Sequence, residues 1–84
     1  MNPRLKNVTV RSFIRALEKD GFVLKRKSGK GSHRAYIHPV SGVRVRVPYH
    51  HSGEPLRPGT LHRLVKAVGW TDEDLIRLGL MRKG

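Results

Sequence analysis

Gly31-Ser32-His33 sits inside a stretch of 33 residues, from Gly21 to Gly53, that contains no aspartate or glutamate. The same stretch carries seven cations: Lys25, Arg26, Lys27, Lys30, Arg34, Arg44 and Arg46. It also holds His33, His38, His50 and His51. A small turn presenting one imidazole in a positive field suits a definite chemistry. It can hold a phosphate ester and move a proton beside it. Cations around an imidazole favour its neutral, base-competent form. Lysine and arginine also stabilise charge that develops on a phosphoryl group in a transition state. The competing reading of His33 is a surface histidine at a strand start, bonded to a turn carbonyl.

Metal chemistry fits the segment poorly. Metal sites share their charge among carboxylates, thiolates and imidazoles at set spacings. The chain has no cysteine, and the histidine-rich stretch has no acid, so the metal assignment is none. His38, before Pro39, is a further candidate for a site role. His50 and His51 are candidates as well, with a solvated loop as their plainer reading. His62 reads as a helix-surface residue.

Phosphate contacts by lysine and arginine give affinity without reading sequence, and that affinity falls with salt. Arg44 and Arg46 alternate with valines and therefore project from one strand face. Tyr36 can stack on a base or pack against Arg34 or Arg46. Pro58-Gly59-Thr60 opens a helix whose free N–H groups can meet a phosphate; a plain helix start is the simpler reading. Trp70, between two helices, reads as a packing residue.

The elements that must position these groups follow from periodicity. Thr9 is an N-cap, and Val10, Phe13, Ile14 and Leu17 share one helical face, with Val8 as a hydrophobic staple on Phe13. Gly21 ends that helix in the left-handed conformation. Residues 22–27 read as a strand with Phe22 and Leu24 inward and Lys25 and Lys27 outward. Residues 28–32 are a turn, and residues 33–38 a second strand stopped by Pro39. Residues 43–47 alternate apolar and basic, which makes a third strand closed by Pro48. Short connections favour an antiparallel meander. After a polar loop over 49–57, Pro58 opens a helix with Leu61, Leu64, Val65 and Val68 on its apolar face, and Gly69 ends it. Thr71 caps a short third helix with three acids in its first turn, anchored by Leu75, Ile76 and Leu78. Residues 80–84 are expected to fray. The fold class is α+β, a two-layer sandwich with helices on one sheet face and positive charge on the other.

Composition bounds the partners. The 84 residues form one domain, 1–84, with a limited core that gains from a partner. A formal charge of +12 calls for an anionic partner. No apolar run approaches the roughly 20 residues that span a bilayer, so no membrane partner is expected. The first ten residues lack the apolar core of a signal peptide. The absence of cysteine fits a reducing cytoplasm. Direct DNA binding is not expected, because no helix carries a dense basic face: the second offers only Arg63 and Lys66.

Taken in order, the motifs resemble the HicA family of bacterial toxins. They are Gly21-Phe22 after a helix, a basic strand, Gly31-Ser32-His33 with an aromatic three residues on, Val45 to His50, and Pro58-Gly59-Thr60-Leu61 opening a Leu-rich helix that ends in Ala67-Val68-Gly69. The resemblance covers roughly residues 9–80. It implies a fold similar to the double-stranded-RNA-binding domain, in α-β-β-β-α order with a short extra C-terminal helix. It implies metal-independent cleavage of mRNA with no cofactor, and a HicB-type antitoxin partner that masks the active site. The family's catalytic histidine corresponds to His33. RNA-binding positions are then Lys25, Lys27, Lys30, Gly31, Ser32, Arg34, Arg44, Arg46 and His50. The first turn is longer and richer in glycine and lysine than in many relatives, and the third strand is richer in arginine. RNA carries an internal nucleophile in its 2′-OH, so cleavage needs one proton taken there and one given to the leaving 5′-oxygen. The second proton carrier is open among water, a lysine and another histidine. The alternative function is a non-catalytic module for structured RNA.

Overall fold

The computed structural model describes residues 7–27 and 33–83. The turn holding Lys30, Gly31 and Ser32 lies outside the described residues, as does the side chain of Lys27. The order is α1 (Val10–Lys19), β1 (Val23–Lys27), β2 (His33–Ile37), β3 (Arg44–Pro48), α2 (Pro58–Val68) and α3 (Asp72–Arg77). The three strands form one antiparallel sheet in the order β1-β2-β3. This is the α-β-β-β-α arrangement with an added C-terminal helix.

Each helix start is built locally. Thr9 Oγ1 accepts from the Ser12 N–H at 3.2 Å, and the Thr9 N–H donates to Ser12 Oγ at 2.9 Å. The two exchanges satisfy N–H groups that a helix start leaves open. Val10, Phe13, Ala16 and Leu17 then turn one face of α1 into the core, with Val8 buried beside them. Gly21 follows the α1 cap at φ +100°, and a Cβ there would meet His38 Nε2 at 2.9 Å. Both facts reserve the position for glycine. Arg57 supplies an extended N-cap before Pro58, and Gly69 closes α2 in the left-handed region. Thr71 and Asp74 repeat the reciprocal cap at α3.

Tyr36, Val45 and Val47 of the sheet pack with Phe13 and Leu17 of α1 and Leu61 and Leu64 of α2 in one core. The Phe13 and Trp70 rings are tilted at 5.4 Å between centroids, and Trp70 Nε1 donates to Asp20 Oδ2 at 2.8 Å. Trp70 therefore packs, as its place in the sequence suggested, while tying the end of α1 to the start of α3.

Two expectations need correction. Leu80 and Met81 are buried, at 3% and 2% exposure, and their N–H groups donate to the Leu75 carbonyl at 2.8 and 3.2 Å. The tail after α3 is a core element up to Met81, because apolar residues there dock on the body instead of fraying. Simple alternation also fails in β1. The register slips between Leu24 and Arg26, so Leu24 pairs with Tyr36 while Arg26 pairs with Ala35. Lys25 is the extra residue of a β-bulge. Leu24 thus lies across from a buried residue yet stays 42% exposed, because β1 is a sheet edge.

The loop between β3 and α2 is fixed to the first residues of α1 and to Val8 just before it. The Val10 N–H donates to the Glu54 carbonyl at 2.8 Å, the Arg11 N–H to the Ser52 carbonyl at 2.9 Å, and the Leu56 N–H to the Val8 carbonyl at 2.9 Å. The Arg11 guanidinium adds a bond to Ser52 Oγ at 3.0 Å.

Candidate nucleic-acid interface and active site

Residues paired across an antiparallel sheet share a face. The β2–β3 register matches Arg34 with Val47 and Tyr36 with Val45, which is the core face. It matches His33 with Pro48, Ala35 with Arg46 and Ile37 with Arg44, which is the open face. His33 therefore heads β2 on the same face as Arg44 and Arg46, with Arg46 one diagonal step away.

His33 is half-buried, while Arg44 and Arg46 are exposed. Lys25, Ala35, Tyr36, Arg44, Val45 and Arg46 line a shallow hollow of ≈ 620 Å³ on this part of the sheet. The bulge keeps Lys25 with the two arginines. Among the described residues the ion pairs are those of Arg77 with Asp20 and with Asp74, both at 3.0 Å. Neither arginine of β3 joins a carboxylate there, so their charge is available to an anionic ligand.

Arg34 stands on the other face. Its guanidinium carbon lies 3.6 Å from the centroid of the Tyr49 ring, a cation–π contact. Burial raises the Tyr36 phenol above its ordinary value, and a hydrogen bond and the charge of Arg34 offset part of that rise. Tyr36 is 2% exposed, so it fills the core and offers no ring to a base. The pleat separates Arg34 from Arg44 and Arg46, a parity that only the pairing register decides.

His38 is held on both ring nitrogens. Its Nδ1 accepts from the Val40 and Ser41 N–H groups, each at 3.2 Å, and Nε2 lies 3.0 Å from the Asp20 carbonyl. Two donors at Nδ1 place the proton on Nε2, which donates to Asp20. The ring also meets Phe22 edge to face at 5.1 Å. His38 therefore locks the β2–β3 connection to the end of α1. His62 is exposed on α2, as expected.

A second, smaller hollow of ≈ 150 Å³ is lined by Pro48, His50, Glu54, Pro55, Leu56, Arg57 and Thr60. His50 is exposed at its rim. Glu54 Oε1 is buried and has no hydrogen-bond partner. Sequence reasoning passed over Glu54. Its signal was that it ends the acid-free stretch four residues after His50. Among the described residues no group of three His, Cys, Asp or Glu side chains is placed to hold a metal ion.

The family model for the HicA toxin of bacterial toxin–antitoxin pairs matches residues 10–70, from α1 through Trp70. The chain belongs to the HicA toxin family. The match takes in both hollows, His33 and all three strands. Searches of the curated proteins and of the solved structures matched nothing to this chain. As a HicA family member the chain is a toxin of the toxin–antitoxin type, which implies a partner. No helix among the described residues is long and apolar enough to cross a membrane.

Proposed function

We propose that this HicA family toxin is a metal-independent endoribonuclease that cleaves mRNA in the cytoplasm, with His33 as its proton-transfer residue. The observation that carries the reading is the register: His33 heads β2 on the open face that also bears Arg44 and Arg46.

The RNA backbone lies along that face, its phosphates held by Lys25, Arg44 and Arg46 around the larger hollow. Lys27, at the end of β1, and Lys30, Gly31 and Ser32, which precede His33, are assigned to the same substrate path. His33 takes the proton of the 2′-OH, a step that contributes about 10²–10⁴ in rate when the base is well positioned. The 2′-oxygen then attacks the adjacent phosphorus. The arginines stabilise the charge gathered on the phosphoryl oxygens. This chemistry needs no metal, since the nucleophile belongs to the substrate. Arg34 keeps its place in the RNA-binding set only indirectly: it braces Tyr49, the residue between Pro48 and His50.

The expected partner is a HicB-type antitoxin with an acidic surface, drawn by the +12 charge. Purified protein should cleave a labelled mRNA in excess chelator, and His33→Ala should abolish cleavage while keeping a wild-type circular dichroism spectrum. Cleavage by that variant at the wild-type rate would overturn the assignment. If neither protein cleaves and both bind structured RNA equally, the chain is a non-catalytic RNA-binding module.

A further inference from the structure

We infer that His50 is the second proton carrier, the general acid that protonates the leaving 5′-oxygen, and that Glu54 positions it. The inference rests on the ribonuclease reading above and assigns the step which that reading leaves open.

The first observation is the orphaned oxygen. Glu54 Oε1 is buried without a hydrogen-bond partner. Leaving such an acceptor unmet is costly, more so when it is charged, so buried polar atoms are nearly always paired. The hollow that Glu54 lines also holds His50, Arg57 and Thr60. Among the described residues Glu54 forms no ion pair, although Arg57 lines the same hollow. The oxygen is thus an acceptor held ready for a donor, and His50 is the titratable donor of that hollow.

The second observation is rigidity. Glu54 cannot drift toward solvent with a loose loop. Its own carbonyl accepts from the Val10 N–H; on either side, the Ser52 carbonyl accepts from the Arg11 N–H and the Leu56 N–H donates to the Val8 carbonyl. The backbone that carries Glu54 is thus tied to the body.

The third observation is the link to His33. Pro48 lines the small hollow and is the cross-strand partner of His33. Opposed Cα atoms in an antiparallel pair are about 4.5–5.5 Å apart, and two further residues add at most about 7 Å. The His33 and His50 Cα atoms therefore lie within roughly 12 Å. That span suits two imidazoles reaching toward one phosphodiester between them.

The step balances. His33 removes the proton from the 2′-OH, and the 2′-oxygen forms a bond to phosphorus. The bond from phosphorus to the 5′-oxygen breaks, and that oxygen takes a proton from the His50 imidazolium. The products are a 2′,3′-cyclic phosphate and a 5′-hydroxyl. As the substrate binds, the unpartnered Glu54 oxygen accepts the other ring N–H of His50 and fixes the ring.

A substrate with sulfur in place of the bridging 5′-oxygen tests this directly. A thiolate is a far weaker base than an alkoxide and leaves without protonation. On ordinary RNA, His50→Ala should cleave about 10²–10⁴ more slowly than wild type. On the sulfur-bridged substrate the two should cleave at nearly the same rate. Glu54→Gln should show a smaller defect that the sulfur also removes, and His33→Ala should stay inactive on both. A His50→Ala defect equal on both substrates would make His50 a binding or structural residue. So would wild-type speed of that variant on ordinary RNA. Either result overturns the inference while leaving the ribonuclease reading intact. Failure of the wild type to cleave either substrate overturns the ribonuclease reading itself.

Discussion

Replacing Arg44 and Arg46 together by alanine should reduce the salt dependence of RNA binding by a calculable amount. Both side chains are exposed on the open sheet face, so the fold does not depend on them. Each phosphate neutralised on a single strand contributes about −0.7 to the slope of log K against log salt. With Lys25, Arg44 and Arg46 each on one phosphate, the larger hollow supplies about −2.1. Between 50 and 200 mM salt that is a loss of roughly 18-fold in affinity. Removing the two arginines leaves about −0.7, or roughly 2.6-fold over the same range. The turn cations add to both proteins, so the quantity to read is the difference of about 1.4 in slope. Fluorescence anisotropy of a labelled single-stranded RNA, titrated at several salt concentrations with His33→Ala as the inert background, measures it. An unchanged slope in the double variant would show that RNA does not lie across this face. A lowered affinity with unchanged slope would refute the charge-counting argument as well.

Met81→Ala should destabilise the protein by about 2–5 kcal/mol, the range for a buried methionine truncated in a core. Because one kcal/mol moves the midpoint of so small a domain by about 4–8 °C, thermal melts would show it plainly, and a change within error would restore a frayed tail. The α3 cap makes a pH prediction. The Thr71 N–H, then Arg77, hold the Asp74 carboxyl below its ordinary 3.8. A lowered folded value means the carboxylate stabilises the fold above the unfolded pKa, and that contribution disappears as pH falls through the folded value. Asp74→Ala should therefore cost stability at neutral pH, by no more than about 1 kcal/mol for so exposed a group. The cost should shrink in acid below pH 3.8; urea midpoints that differ equally at both pH values would contradict it.

The helix boundaries were legible because their causes are local. Thr9, Pro58, Gly69 and Thr71 each act within one turn of the residue that shows them, and the structure has each element they predict. The valines of β3 likewise declare their own face. What escaped the sequence depends on pairing. The bulge at Lys25 exists only against β2, and the side of the sheet that Arg34 takes follows from its match with Val47. The docking of Leu80 and Met81 and the burial of Glu54 Oε1 arise from contacts distant along the chain. His38 resolves into a structural lock for the same reason: its partners, Asp20 and the turn after it, meet only in the fold. Part of the site was thus visible as a histidine in an acid-free, basic stretch. The sorting of that stretch into an open face with Arg44 and Arg46 and a braced face with Arg34 required the register.

The central claim is that His33 moves a proton at an RNA phosphate held by this face. The most direct measurement is mRNA cleavage in excess chelator by wild type and by His33→Ala, with folding checked by circular dichroism. The account predicts cleavage by the first and none by the second, with both folded. Equal cleavage by both, or cleavage that appears only when a divalent metal is added, would contradict it.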